Sequence, residues 1–537
     1  MRIVRVTTSL RCPLPTLPML RPCAHQPCSE LDHRIFTATV PPDHYLRRVL
    51  QAVDFDRCRP LLVAAYDPAL GRPACEPVLL LKLEFLEYHY NLSDRQVLDQ
   101  ARYSMAFRLF LGLSLDSELP DPSLLSYFRR RLGPERHQQV FDAVVGQARE
   151  HGLVKDRLRL KDATHVLANI AIPTTRALVA QARDRLLAAA RPYAPERVAA
   201  EEAQAAAVRS ATADLSGEER LLHRVVHLRA VVAWADGLAA DLGPASDGDR
   251  PRADLAEALR LAHRVLADRE GGLKAPDQLV SLHDQDARWG KHGQRFAGYW
   301  LDVATDADSA LITAVNVLPA NADEGADATT LIRHEEQAHG NDVQALSLDG
   351  AGFRGSLLRE WTDPEGMNLE VIVPPRQDPA TPYFPVERFT LNEARDTLVC
   401  PAGQTTQART RSPNDTGWQY RFRSPVCAAC PLRGACVGEA KPGRYGRTVV
   451  KNDYEAEYRA ARAKAQTPRH REVRRQHRRV ERKLGELVRW HRGRRARYRG
   501  RPRVLVQGLL TALVVNVKRV VRLLAAPRVR AALAASP

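Results

Sequence analysis

At 537 residues the chain is long enough for three or four domains. Its 44% hydrophobic and 27% charged residues exclude a fibrous or low-complexity protein. The charge is lopsided: residues 441–537 hold 28 Lys and Arg against 6 Asp and Glu, a net of +22 within a formal total of +17, so the remainder is near −5. That imbalance points to a polyanion partner, most simply nucleic acid.

Residues 1–32 are Pro-rich, broken by Pro13, Pro15 and Pro18, and read as a poorly ordered extension with no signal peptide. Cys12, Cys23 and Cys28 form no complete ligand set there. Residues 33–155 read as an all-α domain. Helices are expected at His44–Val53, Glu76–Tyr88 and Asp94–Leu111, the last capped by Ser93. Asp121-Pro122 opens a fourth, with Asp as cap and Pro at the first helical position. It carries Arg129, Arg130 and Arg131, which either contact DNA or face water and complement the helix dipole.

Leu158–Asn169 (LRLKDATHVLAN) alternates as a strand does, with Leu158, Leu160 and Asp162 on one face. An acid ending a buried alternation either binds something or caps a turn. His165, three residues on, reads as local structure. Residues 175–272 carry helical spacing, with Leu221, Val225, Leu228, Val232 and Ala235 as one stripe, and read as a helical insertion. Phe296–Thr305 and Ala310–Leu318 form a hairpin, followed by a helix over 323–339. In the strand Asp342–Phe353, Ala345, Ser347 and Asp349 share a face and Gly350 turns the chain. A last strand covers Leu369–Val373. The order over 156–375 predicts an α/β fold, a mixed sheet with helices packed on it, whose Asp162 and Asp349 lie on neighbouring strand ends.

Residues 376–440 form a Cys-rich, loop-rich insertion. Cys400, Cys427, Cys430 and Cys436 are zinc-ribbon-like and could close a tetrahedral structural Zn²⁺ site, or stand as unlinked thiols. Residues 441–537 read as basic helices. Val473, Val480, Leu484, Leu487 and Val488 mark an apolar face, and Glu481 stands amid Arg478, Arg479, Arg482 and Lys483. Glu481 is either a salt-bridge partner or a third metal ligand. Trp490 and Tyr498 interleave the arginines and either stack on bases or belong to the core. Val504–Leu524 comes nearest to a membrane span, but Lys518, Arg519 and Arg522 interrupt it, so no membrane is expected.

These pieces together resemble the insertion-sequence transposases of the DDE type: KDATHVLAN, DQDARWGKHGQRFAGYWLDVATD, LITAVNVLPAN, ALSLDGAGF, the CPAG and CPLRGAC cysteine segments, and RRVERKLGELVRWHRGRRARYRG. The resemblance covers roughly residues 33–525. It implies a helical N-terminal domain and a ribonuclease-H-like catalytic core completed by the C-terminal helices. It implies Asp162, Asp349 and Glu481 as the triad, holding two Mg²⁺ ions for DNA cleavage and strand transfer. The family often places a Tyr seven residues before its Glu, where this chain has Arg474, so Glu486 is the alternative third acid. Arg478 and Arg489 stand for the family's flanking basic residues. Double-stranded DNA is the implied partner, contacted by Arg129, Arg130, Arg131, Arg478, Arg482, Lys483, Arg489, Trp490, Arg494, Arg495 and Arg497. Joining two element ends implies at least a dimer, and the reaction implies a cytoplasmic, nucleoid-associated protein. The alternatives are a catalytically silent DNA-binding relative and a metal-dependent nuclease without strand transfer.

Overall fold

Ser29 caps the first helix: its hydroxyl accepts the Asp32 N–H and the Asp32 carboxylate accepts the Ser29 N–H. The computed structural model describes residues 28–67, 74–244, 246, 248–270, 277–376, 382–392, 396–412, 416–438 and 445–526. Most of the expected N-terminal extension, including Cys12 and Cys23, therefore lies outside the described residues. Helix α1 (Glu30–Thr39) starts ahead of the expected boundary at residue 33. It is followed by α2 (Tyr45–Ala52), α3 (Arg59–Val63) and α4 (Pro77–Tyr90). Pro77 opens α4, which is apolar around most of its circumference and buried from Pro77 to Leu81 and from Leu83 to Tyr88. Asn91, left-handed at φ 56°, ends it.

The single helix expected over 94–111 is two: α5 (Asp94–Tyr103) and α6 (Met105–Leu111). Ser104 is extended, and its hydroxyl accepts the Phe107 N–H, so it ends one helix and caps the next. Helix α7 (Ser123–Glu150) opens as the Asp-Pro signal predicts, with the Asp121 carboxylate accepting the Ser123 N–H at 2.8 Å. It is broken inside by Gly133, left-handed at φ 62°, next to Pro134, which has no N–H to continue the ladder.

The sheet is mixed. Strand β1 (Arg159–Leu167) is followed, after four helices α8 (Thr175–Ala190), α9 (Pro195–Ala211), α10 (Gly217–Leu242) and α11 (Arg250–Glu270), by β2 (Arg288–His292), β3 (Gln294–Asp306) and β4 (Ile312–Pro319). Then come α12 (Asp327–His339), β5 (Ala345–Ser347), α13 (Gly355–Thr362) and β6 (Glu370–Ile372). β3 pairs antiparallel with β1, with Asp162 opposite Val303, and also with β2 and β4. β1 pairs parallel with β5, and β5 with β6. The expected hairpin is β3–β4; β2 adds a strand to it that the sequence reading did not separate.

Asp162 is not at a strand end. β1 runs five residues past it, and what stops is the pairing with β5, whose last partner is Leu160 opposite Ser347. Beyond that point the edge of β1 is open until Leu167 bridges Arg495. Both faces of β1 are covered. Leu160 and Val166 join the main apolar core, while Arg159, fully buried on the other face, is held by Glu335 of α12, Asp306 and Asp156. A buried guanidinium with three carboxylate partners survives where an unpaired one would not.

α8 to α11 close on their own apolar cluster. After β6 the chain makes two three-stranded sheets, β7 (Thr390–Asn392), β8 (Thr397–Val399) and β9 (Thr405–Thr406), then β10 (Arg409–Arg411), β11 (Gly417–Arg421) and β12 (Thr448–Asn452). Short helices α14 (Ser424–Ala428) and α15 (Arg433–Cys436) lie between β11 and β12. The chain returns through α16 (Glu455–Ala465), α17 (Pro468–Trp490) and α18 (Arg501–Leu524). α18 packs on β4 and on α7, α4 and α2, so one continuous apolar core joins the N-terminal helices, the sheet and the C-terminal helices. Among the described residues it is the helix long and apolar enough to cross a membrane, with mean hydropathy 1.7, but 83% of that window is buried inside the fold.

Candidate active site

Three acids expected to act together come from three elements. Asp162 rises from β1 at the point where β5 leaves, and its Oδ1 accepts the Ala163 N–H at 2.9 Å. Burial pushes its carboxyl up to about 7, and the neighbouring charges of Asp349 and Glu324 push the same way. Asp349 stands two residues beyond β5, not on it as expected. It is exposed, and its carboxylate caps the turn 350–352 by accepting the Ala351 N–H at 3.0 Å. Glu481 is exposed on α17.

Arg474 links the three. It lies two turns before Glu481 on the same stripe of α17, and its Nη1 donates to the Leu348 carbonyl at 2.6 Å. Burial lowers its affinity for a proton, and the charges of Asp349, Glu481 and Asp162 offset that only in part. One guanidinium therefore senses all three acids. His477, between Arg474 and Glu481, is buried and bonds Ser347 Oγ at 3.2 Å, which pins α17 onto β5. Burial holds its imidazole down at about 3, helped by Arg474 and Lys161.

Glu486, the alternative third acid, is elsewhere. Its carboxylate receives Lys483 at 3.0 Å and Lys518 at 2.8 Å on a different side of α17. The residues that sequence reasoning missed are Glu324, Lys161 and His477. Glu324, in the loop before α12, is raised by burial and by Asp349, and its carbonyl accepts from Lys161, which pairs with Asp302 at 2.9 Å. No periodic signal marks a loop acid; a Lys preceding a strand Asp was the available hint.

The basic residues expected on DNA divide in two. Arg130, Arg131, Arg478, Arg482, Arg489, Arg495 and Trp490 are exposed, Trp490 at 69%. The others are engaged inside the protein. Arg129 is held by Glu84, Glu87 and Asp94, with only 10% of its side chain exposed. Arg497 donates to the Glu87 carboxylate, Arg494 to Thr164 Oγ1 and the His165 carbonyl, and Lys483 to Glu486. Arg497 ties the C-terminal segment to the N-terminal helices and Arg494 ties it to β1, while Arg129 joins α7 to α4 and α5, and Lys483 pairs within α17. For Arg129, Arg494 and Arg497 the spacing in the sequence gave no sign of that, because each partner is far along the chain.

The four expected cysteine ligands border one small pocket. The Arg447 N–H donates to Cys427 Sγ at 3.3 Å, and a Cβ on Gly446 would fall 2.4 Å from that sulfur. Among the described residues, no three His, Cys, Asp or Glu side chains form a group that could hold a metal ion as they stand. The donor chemistry nonetheless suits two different ions: all-oxygen carboxylates at the sheet suit a hard cation such as Mg²⁺, and four thiols suit Zn²⁺.

Two family models match the chain. A transposase domain (DUF772) matches residues 34–131, and a transposase DDE domain matches residues 399–521. The first runs from within α1 to the start of α7; the second runs from the cysteine segment through Glu481 into α18. No solved structure matches the chain.

Proposed function

We propose, for a chain whose two family matches support an insertion-sequence DDE transposase, that it binds the ends of its element, cuts the DNA there and joins it to a target. The observation that carries this reading is that Arg474, hydrogen-bonded to the Leu348 carbonyl beside Asp349, lies within electrostatic reach of Asp349, Glu481 and Asp162. The sheet supports it. β1 pairs antiparallel with β3, and β3 with β2 and β4, while β5 runs parallel to β1 and β6 to β5, so that Asp162 on β1 and Asp349 just past β5 come from neighbouring parallel strands. That is the arrangement expected of a ribonuclease-H-like core.

Asp162, Asp349 and Glu481 would hold Mg²⁺, and their oxygen donors fit it. Two such ions would stabilise the attacking and leaving oxygens of an in-line phosphodiester displacement. The chain's own part is to place and to charge. His477 pins α17 on β5 through Ser347, which keeps Glu481 over the sheet. Lys161 ties the Glu324 loop to the strand that bears Asp162. Arg474 offsets the mutual repulsion of the acids and stands where a scissile phosphate would be drawn. The exposed Arg478, Arg489 and Arg495 would neutralise backbone phosphates, and Trp490 offers a face for base stacking. Cys400, Cys427, Cys430 and Cys436 would hold a structural Zn²⁺. Joining two ends requires at least two copies of the chain.

The test is cleavage and strand transfer on linear DNA carrying the element's flanks, with Mg²⁺, for wild type and for Asp162→Asn, Asp349→Asn and Glu481→Gln. Each neutral isostere is expected to abolish both steps, by at least about a thousandfold, while DNA binding persists. An active Glu481→Gln protein removes Glu481 from the triad. Wild-type cutting without joining makes the protein a nuclease, and binding without cutting makes it a silent relative.

A further inference from the structure

Between α17, α18 and the turn that joins β3 to β4 lies an open pocket of about 410 Å³. Six cations line it: Arg479, Arg482 and Lys483 from α17, and Lys518, Arg519 and Arg522 from α18. Two acids face them, Asp308 and Glu486. Glu486 is already paired with Lys483 and Lys518. Among the described residues, Arg479, Arg482, Arg519 and Arg522 are in no salt bridge. Arg479 donates to the Ala307 carbonyl and Arg519 to the Ser309 carbonyl, which anchors their guanidinium groups against the turn without neutralising them. Burial, then Arg522 and Arg479, makes Arg519 a weaker base than usual. The fold thus holds six cations together against two acids, an excess of positive charge whose cost a bound anion lowers.

The pocket lies on a different side of α17 from the acids. Arg474 and Glu481 define one stripe; Arg479, Arg482 and Glu486 define another, on average about 120° round the helix at about 100° per residue. A helix about 10–12 Å across stands between the two.

We infer that this pocket seats a backbone phosphate of duplex DNA, on a stretch other than the one presented to Asp162, Asp349 and Glu481. The lining contains no aromatic ring and no amide side chain, so it has nothing to stack on a base or read its edge. Arg482 and Arg522 are exposed at the rim and carry the positive surface outward, which suits a polymer more than a small phosphate. The inference rests on the transposase reading and adds to it a second grip on DNA, behind the catalytic helix.

The measurement is the salt dependence of duplex binding by the full chain, compared with the double variant Arg482→Gln/Arg522→Gln. Neither side chain makes a hydrogen bond among the described residues, and unchanged circular dichroism checks the fold. A control double variant, Arg191→Gln/Arg197→Gln, removes the same charge from exposed positions on α8–α9. Each phosphate contact adds about 0.9 to the slope of log K against log salt. The pocket variant is expected to lose about 1–2 from that slope and to bind about tenfold more weakly at ~100 mM salt, with the control unchanged. Loss confined to duplexes bearing the element's flanks assigns the pocket to the element's end, and equal loss on unrelated duplexes assigns it to any DNA, as for a target. A pocket variant that keeps the wild-type slope, or a control that falls equally, overturns the inference while leaving the transposase reading intact. A wild type that binds no duplex brings down both.

Discussion

Two excursions leave the central sheet, and they are held by opposite means. Residues 175–270 close on a cluster that includes twenty buried apolar residues, among them Leu186, Leu187, Leu228 and Val231. Residues 384–452 make two small sheets around five: Phe389, Leu398, Tyr420, Phe422 and Val449. A cluster of the first size supports itself by removing apolar surface from water; one of the second is near the limit below which small units need a metal or a cross-link. The cysteines sit beside the weaker core. The difference teaches that the same sheet carries one excursion with a core of its own and one with a small core bordered by thiols.

If the proposed Zn²⁺ is bound, its removal is the severest way to break that contrast. With Zn²⁺ bound, chelation or Cys427→Ser is expected to unfold the small sheets, since structural zinc contributes on the order of 10–16 kcal/mol. Limited proteolysis should then cut between 384 and 452 and spare 175–270. A protein that contains no zinc and resists proteolysis there refutes the assignment. Next in size is the central body. Arg159→Ala leaves Asp306 buried without a guanidinium and Glu335 with Arg149 alone, and should cost about 3–5 kcal/mol, lowering the main melting transition. Leu228→Ala, inside the helical excursion, should cost about 2–5 kcal/mol. Hydrogen exchange should show faster amide exchange confined to α8–α11, whereas spread into β1 or β3 would mean that the excursion is not an independent unit.

The smallest effect is a pH dependence at the seam of α17 and β5. In the unfolded chain His477 takes a proton near its ordinary 6.5, and in the fold only near 3. The unfolded state therefore binds more protons between those values, and stability falls as pH falls through that window. Between pH 6.5 and 5 this group should account for on the order of 1–2 kcal/mol. Comparing denaturant midpoints of wild type and His477→Gln at the two pH values isolates it; parallel curves would show that His477 titrates normally.

Much of the architecture is legible in the sequence because its signals are local. The Asp121-Pro122 helix start, the β3–β4 alternation and the Leu228 stripe each report on a few neighbouring residues. Ser104 shows the limit: its hydroxyl splits a helix whose apolar spacing runs straight through it. The site is legible as residue types, Asp162, Asp349 and Glu481, each in a motif of its own. Their relation to Arg474 is not, because it depends on a helix more than 300 residues after β1 being laid across the sheet. The same holds for Arg129, Arg494 and Arg497, whose arginine-rich surroundings suggest DNA and whose distant partners, Glu87 and Thr164, cannot be inferred from spacing.

The place of α18 at the centre of the shared core has a consequence for how the protein is made. The apolar faces of α2, α4, α7 and β4 are completed by residues 501–524. A ribosome adding about 5–20 residues each second has been working for roughly half a minute or longer before those residues emerge. Until then the earlier helices and the hairpin have exposed apolar surface and are candidates for chaperone capture. A translation product cut short before α18 would be a substrate for proteolysis rather than a smaller protein competing for the same DNA.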